Sequence, residues 1–336
     1  MYILGLESSC DETSAAVVEM SEDGRFIRSN IVASQIDVHR LYGGVVPEIA
    51  SRAHIEAISK ITYEALENAG ITLKDIGAIG VTAFPGLIGA LLVGVNFAKS
   101  LAYANNIPLV AVNHVHGHVS AAFLSEQSLE PPFLSLVVSG GHTSIYKVNS
   151  YTEYEEIGST RDDAVGESFD KVGRVIGMPY PGGAALDKLA YEGDPKAINL
   201  PSPAILGDNL DFSFSGLKTA ALNYINQREQ RGEELNRADI AASYTRAVTK
   251  AVSKKISMAL DQTGMKTLVM AGGVAANSHL RRAVGEVCSS KNVKFICPPI
   301  SLCGDNAAMI ATAAYYEFLK GNFSDTSLNA SATEKC

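Results

Sequence analysis

The sequence predicts an α/β protein in which one βββαβα unit occurs twice, each copy a mixed sheet with helices on both sides. Three observations point there. Short apolar runs alternate with segments of helical period, and each half opens on three strands before strand and helix begin to alternate. At 336 residues the chain also exceeds the usual size of a single core, so two domains are expected. Their boundaries fall at residues 1–130 and 131–320, with a polar tail at 321–336. The duplication rests on element order, because residue-by-residue similarity between the halves is weak.

In the first half, residues 2–7 alternate like a strand, 8–13 are polar and turn-like, and 14–18 resume as a strand. Ser21 to Gly24 form a second turn before a third strand at 26–33. A loop with Tyr42, Gly43 and Gly44 leads to Pro47, which suits the first turn of a helix reaching about residue 69. A strand at 76–82, a helix at 87–105, a strand at 107–112 and a helix at 114–124 follow. In the second half, 133–139 and 142–148 are strands joined by Gly140-Gly141 as a two-residue hairpin turn. A strand at 154–159 and a helix at 163–176 precede an irregular insert, rich in Pro and Gly, at 178–218. A helix at 237–263, strand at 267–271, helix from 276, strand at 293–296 and helix at 305–319 complete the domain. The tail from residue 322 is expected to fray.

Hydrophobic residues at 46% and charged residues at 19% fit a globular protein with large cores. A net charge of −8 argues against a polybasic nucleic-acid binder or a membrane-surface protein. RNA stays open as a substrate, since a local basic patch or a partner can supply the cations. The five cysteines, Cys10, Cys288, Cys297, Cys303 and Cys336, show no Cys-x-x-Cys spacing, which fits reduced thiols in a cytosol better than a disulfide framework or zinc knuckle. No signal peptide is expected, because residues 1–6 are too short and lack basic flanks. Residues 79–95 are apolar enough to suggest a membrane span, but Pro85 and several glycines favour a buried strand-turn-helix.

Chemistry is first suggested by Asn113-His114-Val115-His116-Gly117-His118. If a helix begins at His114, His114 and His118 stand at i and i+4 on one face, where two imidazoles can bind one ion, and His116 points elsewhere. The other reading is a histidine-rich helix start with satisfied ring nitrogens. Val137-Val138-Ser139-Gly140-Gly141 can cradle an anion on backbone N–H groups, or be an ordinary hairpin. Glu7-Ser8-Ser9-Cys10-Asp11-Glu12-Thr13 occupies the equivalent turn of the first half; its carboxylates, Glu7, Asp11 and Glu12, can order a metal, polarise an attacking amine, or simply be solvated. Gly272-Gly273-Val274-Ala275-Ala276-Asn277 leaves room for a flat base, with Asn277 free to reach a ribose or base edge, yet close strand-helix packing explains the glycines as well. Asp305 is either a helix N-cap or the third ligand of a His-His-Asp site. A ligand of such a duplicated fold is expected in the cleft between the domains. Phosphate-loop, dinucleotide-turn and nucleophile-elbow motifs are absent, and Val115 stands where a zinc protease carries its glutamate.

Taken together these stretches resemble the TsaD family, the tRNA threonylcarbamoyladenosine transferases, in their bacterial form. The resemblance spans residues 3–319 and also includes Tyr42-Gly43-Gly44 through Arg52, Pro85-Gly86-Leu87, Glu167 to Lys171, Tyr180 to Gly183, Asp211 to Thr219 and Cys303-Gly304-Asp305-Asn306. It implies the duplicated fold of actin, Hsp70 and the sugar kinases (the ASKHA fold). It implies transfer of a threonylcarbamoyl group from threonylcarbamoyl-AMP to the N6 amine of adenosine 37 in tRNAs reading ANN codons. By the same resemblance His114, His118 and Asp305 hold one divalent metal ion, Fe(2+) or alternatively Zn(2+). The turn Val137, Val138, Ser139, Gly140 and Gly141, with Asp170, Gly183, Asp187 and Asn277, holds the carbamoyl adenylate. Asp11 or Glu12 orients the adenine amine or takes its proton. TsaB is implied as a pairing partner, TsaE as the source of an ATPase step and TsaC or a relative as the maker of the adenylate, all in the cytoplasm. The tail after Gly321 lacks the arginine- and tryptophan-containing ending of many bacterial relatives, and His116 stands where relatives vary. The rivals are an ATP-dependent kinase or ATPase of the same fold, a non-catalytic scaffold resembling TsaB, and a peptidase.

Overall fold

The structure is a computed structural model that describes residues 1–21, 24–201 and 209–333. The middle of the turn expected at 21–24, part of the expected insert and Cys336 lie outside the described residues. The chain divides into two compact units, residues 1–131, 150–153 and 301–336 in the first and 132–149 and 154–300 in the second.

In the first unit, β1 (Tyr2–Glu7), β2 (Glu12–Ser21) and β3 (Gly24–Ser34) run as an antiparallel meander. A short helix α1 (Ile36–Arg40) and the long α2 (Pro47–Ala69) lead to β4 (Ile76–Phe84), α3 (Ile88–Asn105), β5 (Leu109–Asn113) and α4 (His114–Ser125). The sheet order is β3-β2-β1-β4-β5, with β4 and β5 parallel to β1. Pro at the first position and Gly70 in the left-handed conformation bound α2 as anticipated.

The second unit repeats the plan. Its strands are β6 (Phe133–Val138), β7 (Thr143–Ser150), β8 (Glu153–Ser159), β9 (Thr267–Ala271) and β10 (Lys294–Ile296). Their order, β10-β9-β6-β7-β8, is that of the first sheet read from the other edge. The two sheets therefore carry the same topology, which is the duplicated mixed-sheet architecture expected. The helices are α5 (Val165–Val175), α6 (Gly182–Leu189), α7 (Ser215–Gln230), α8 (Arg237–Thr263) and α9 (Ser278–Ser290).

Four expectations need correction. The stretch at 178–218 is not an irregular insert among its described residues, because it contains α6 and the first turn of α7. The start of α7 is fixed from a distance: Asp162 accepts the backbone N–H groups of Phe214 (2.7 Å) and Ser215 (3.2 Å). Gly140-Gly141 is not a two-residue hairpin turn. Residues 139–142 form the link, closed by Ser139 N–H to the His142 carbonyl (2.8 Å), and neither glycine has a positive φ. The tail is not frayed through residue 332: Ser324 N–H donates to Leu109 O, Lys99 Nζ to Leu328 O, and Ser331 N–H to Ala83 O, all at 2.8–2.9 Å.

The last correction concerns α10 (Ala307–Leu319), which packs in the first unit on β1, β2, β4 and α4 and not in the second. Apolar on all sides, it needs a closely fitting bed. Two glycines make that bed. A Cβ on Gly5 would lie 2.7 Å from Ala311 N and still closer to Ala307 O, and one on Gly80 would overlap Ala314 Cβ. No helix among the described residues is long and apolar enough to cross a membrane, and residues 79–95 form β4 and the start of α3.

Candidate functional site

β5 ends at Asn113, whose side chain accepts the N–H groups of Val115 (2.8 Å) and His116 (3.4 Å). This cap starts α4 at His114 and puts His114 and His118 one turn apart, with ring centroids 4.6 Å apart. The bed that receives α10 sets the third group. Ser14 Oγ accepts Ala307 N–H (2.8 Å), and Asp305, two residues earlier, places Oδ1 3.2 Å from His118 Nε2 and 3.6 Å from His114 Nε2. Asp305 is not the N-cap of α10; Asn306 is, accepting Met309 N–H at 3.1 Å.

The three residues offer ligand atoms within 4.8 Å of one another, and this group can hold a metal ion. Both ring nitrogens of His118 are buried; Nδ1 has no hydrogen-bond partner among the described residues and Nε2 has only the poorly aligned Asp305 Oδ1 contact at 3.2 Å, a costly state unless a ligand or ion satisfies one of them. His114 is supported differently. Its Nδ1 lies 3.0 Å from Glu7 Oε2, the carboxylate-histidine pairing that turns the other nitrogen toward an ion. Glu7 is held in turn by Thr82 Oγ1–H (2.7 Å) and Ser9 N–H (2.5 Å). The set of two imidazoles and one carboxylate suits iron or zinc.

Charge is concentrated here. Burial works against charge on Glu7, yet the neighbouring His114 holds its carboxyl below the usual range. Burial also opposes charge on His114, but Asp305 and Glu7 outweigh it and lift the imidazole to about 9. Glu12 is pushed up to about 9 by burial, with Asp305 and Asp11 adding to it. His116 lies outside the cluster, and burial lowers it to about 4, so it stays neutral. One consequence is measurable. Below pH 9 the metal-free His114 carries the proton that an ion must displace, so apparent metal affinity should rise about tenfold per pH unit from 7 to 9 and level off above. Calorimetry at pH 7 in buffers of different ionisation enthalpy should show about one proton released per ion.

The residues expected to bind an adenylate all lie in the second unit. Asp170 Oδ1 accepts Gly183 N–H (2.9 Å) at the start of α6. Asp187, on α6, accepts Ser278 N–H (3.1 Å) and Ser278 Oγ–H (2.9 Å) at the start of α9, whose own N-cap Asn277 accepts Leu280 N–H (2.8 Å). Asp170 and Asp187 thus tie α5, α6 and α9 together, while Asn277 caps α9 itself. His279 joins them, with Nε2 3.2 Å from Asp187 O, and no spacing pattern marks it. The carbonyls of Ser139 and Gly140 accept Gly166 and Glu167 N–H groups (3.2 Å each) at the start of α5. Gly272, at φ 94°, passes 2.8 Å from Val138 C by its hypothetical Cβ, so close packing does account for that glycine.

The family model for TsaD, tRNA N6-adenosine threonylcarbamoyltransferase, matches residues 26–312. A tRNA N6-adenosine threonylcarbamoyltransferase of Clostridium botulinum (strain 657 / Type Ba4) is 53% identical over 328 residues, 98% of this chain and 96% of the relative. The chain belongs to the TsaD family. HypF of T. kodakarensis superposes with a TM-score of 0.63 at 14% identity, covering 97% of this chain and 49% of HypF. The ROK hexokinase of Thermus thermophilus superposes at 0.50 and 16% identity, covering 96% of this chain and 100% of the kinase. These likenesses show the fold, the duplicated actin and sugar-kinase type. Glu7, as the partner of His114, and the fully buried His54 are two polar residues to which sequence reasoning assigned no such role. The signal for Glu7 was a carboxylate closing an apolar strand.

Proposed function

We propose that the chain transfers the threonylcarbamoyl group of threonylcarbamoyl-AMP to N6 of adenosine 37 in tRNAs reading ANN codons. The observation that carries this reading is the gathering of His114, His118 and Asp305 in a chain 53% identical to threonylcarbamoyltransferases over nearly its full length. The adenine amine attacks the carbamoyl carbon, the bond from that carbon to the phosphate oxygen breaks, and AMP leaves with the electron pair. The amine proton passes to Asp11, 8% exposed on the turn after β1, while Glu12 beside it orients the amine. His114, His118 and Asp305 hold one divalent ion, Fe(2+) in this proposal with Zn(2+) the alternative, which supplies Lewis-acid polarisation when bound.

The donor is held by Val137, Val138, Ser139, Gly140, Gly141, Asp170, Gly183, Asp187 and Asn277. Support comes from the glycines. A Cβ on Gly140, Gly141 or Gly273 would meet nothing within 4 Å, so packing inside the protein does not require glycine there. Backbone amides at such a turn can stabilise charge on a leaving phosphate. TsaB pairs with the chain, TsaE supplies an ATPase step, and TsaC or a relative makes the adenylate, in the cytoplasm.

The test mixes the purified chain with TsaB, TsaE, threonylcarbamoyl-AMP and unmodified tRNA, then weighs the digested nucleosides. The modified adenosine should appear only with donor and tRNA together; unmodified adenosine alone would refute the proposal. Asp11→Asn should lower kcat about a hundredfold, the usual worth of a positioned base, with metal content unchanged. A normal rate would remove Asp11 from the proton's path.

A further inference from the structure

The turn that carries Asp11 is fastened through three successive carbonyls. Ser9 O accepts Leu87 N–H (2.8 Å), Cys10 O accepts His54 Nε2–H (3.0 Å) and Asp11 O accepts Gln35 N–H (2.9 Å). Only the middle donor is a side chain. His54 is fully buried on α2, and its other nitrogen, Nδ1, lies 2.8 Å from Thr13 Oγ1 and 3.4 Å from Gln35 Nε2.

The polarity of this arrangement is fixed at both ends by backbone groups. A carbonyl can only accept, so His54 carries its proton on Nε2, and Nδ1 must accept from the Thr13 hydroxyl. Further out, Val46 N–H donates to His39 Nδ1 (3.3 Å), so His39 Nε2–H donates to Gln35 Oε1 (3.1 Å). That leaves the Gln35 amide nitrogen facing His54. Each donor meets an acceptor from Val46 to Cys10, and both imidazoles are neutral with the proton on Nε2. Burial, which lowers the His54 pKa, agrees with the neutral form.

We propose that His54 is a positioning residue for the transfer reaction: by holding the Cys10 carbonyl it sets the direction of the adjoining Asp11 side chain. His54 touches neither the His-His-Asp group nor Asp11's carboxylate in the contacts above, so its effect runs through the backbone. The inference rests on the role proposed for Asp11, and the test separates the two.

The discriminating pair is His54→Gln and His54→Asn. The Gln amide nitrogen can occupy the place of Nε2 and still reach Cys10 O, whereas the Asn amide ends near Nδ1 and cannot. In the transfer assay with the partner proteins, Gln should keep kcat within about threefold of wild type. Asn should lose about a hundredfold, the scale of an ångström's misplacement. KM and bound metal should stay level in both. Alkylation of Cys10, followed by peptide mass analysis, reports on the turn without any turnover: it should be faster in the Asn variant and unchanged in the Gln variant. Equal alkylation of the two variants would overturn the hold on Cys10, and unequal alkylation with equal kcat would overturn its link to transfer. A wild type that alkylates as described yet transfers nothing would sink the proposed function and leave the hold on the turn standing. Should the Asn variant not fold, a loss of kcat beyond tenfold in the Gln variant would overturn the proposal.

Discussion

His118→Ala is expected to lower threonylcarbamoyl transfer by about a hundred- to a thousandfold, the loss seen when a preorganised charge-stabilising group is removed. It should strip the bound ion as well. His118 Nδ1 has no hydrogen-bond partner among the described residues and Nε2 meets only Asp305 Oδ1, at 3.2 Å, so the imidazole is tied to its fellow ligand and to nothing else in the fold. Truncation leaves a cavity, which costs stability, but it also removes a buried nitrogen, Nδ1, whose unsatisfied state costs about 1–3 kcal/mol. The two effects oppose each other, so the melting temperature should move little while activity collapses. That combination, measured by transfer assay and thermal unfolding on the same preparation, separates a ligand from a core histidine. A variant that kept its ion and its rate would make His118 a packing residue.

The second large effect is on the fold. Gly5→Ala should destabilise the first unit by about 3 kcal/mol, the upper range for overpacking in a tight core. The added methyl would lie 2.7 Å from Ala311 N and press on the Ala307 carbonyl. Neither partner can yield cheaply: β1 is flanked by β2 and β4, and α10 is buried along most of its length. The melting temperature should fall by about 6–12 °C. Because Asp305 stands just before α10, metal affinity should fall too. Gly216→Ala is the control: nothing lies within 4 Å of a Cβ there, in the first turn of α7, so stability should hold or rise slightly. Equal melting temperatures for the two variants would show that α10 is not seated as described.

Most of the strand and helix order was legible because it is written in local period. The α8 helix and β9 strand, for instance, fall where apolar spacing puts them. The misses share one cause, which is support from residues far away in sequence. The start of α7 depends on Asp162, and the tail is ordered by Lys99, Leu109 and Ala83. Gly140-Gly141 reads as a two-residue hairpin turn, but the carbonyls of Ser139 and Gly140 bond to the N-terminus of α5 and the link runs over four residues.

The candidate site was half legible for the same reason. His114 and His118 are one helical turn apart, and a sequence shows that directly. Asp305 is brought to them only by the packing of α10 on Gly5 and Gly80, which no spacing rule conveys, so the residues alone left it open between helix N-cap and third ligand. Glu7 and His54 work through hydrogen bonds to groups on other elements; nothing local marks His54, and the carboxylate at the end of β1 does not reveal that His114 is its partner.

The most direct test of the His-His-Asp centre is X-ray absorption at the metal edge of the wild-type protein loaded with one equivalent of Fe(2+) or Zn(2+). The expected spectrum has only nitrogen and oxygen in the inner shell, with the outer-shell features of two imidazoles. A sulfur scatterer at about 2.3 Å would place the ion on a cysteine, and would contradict His114, His118 and Asp305 as its ligands.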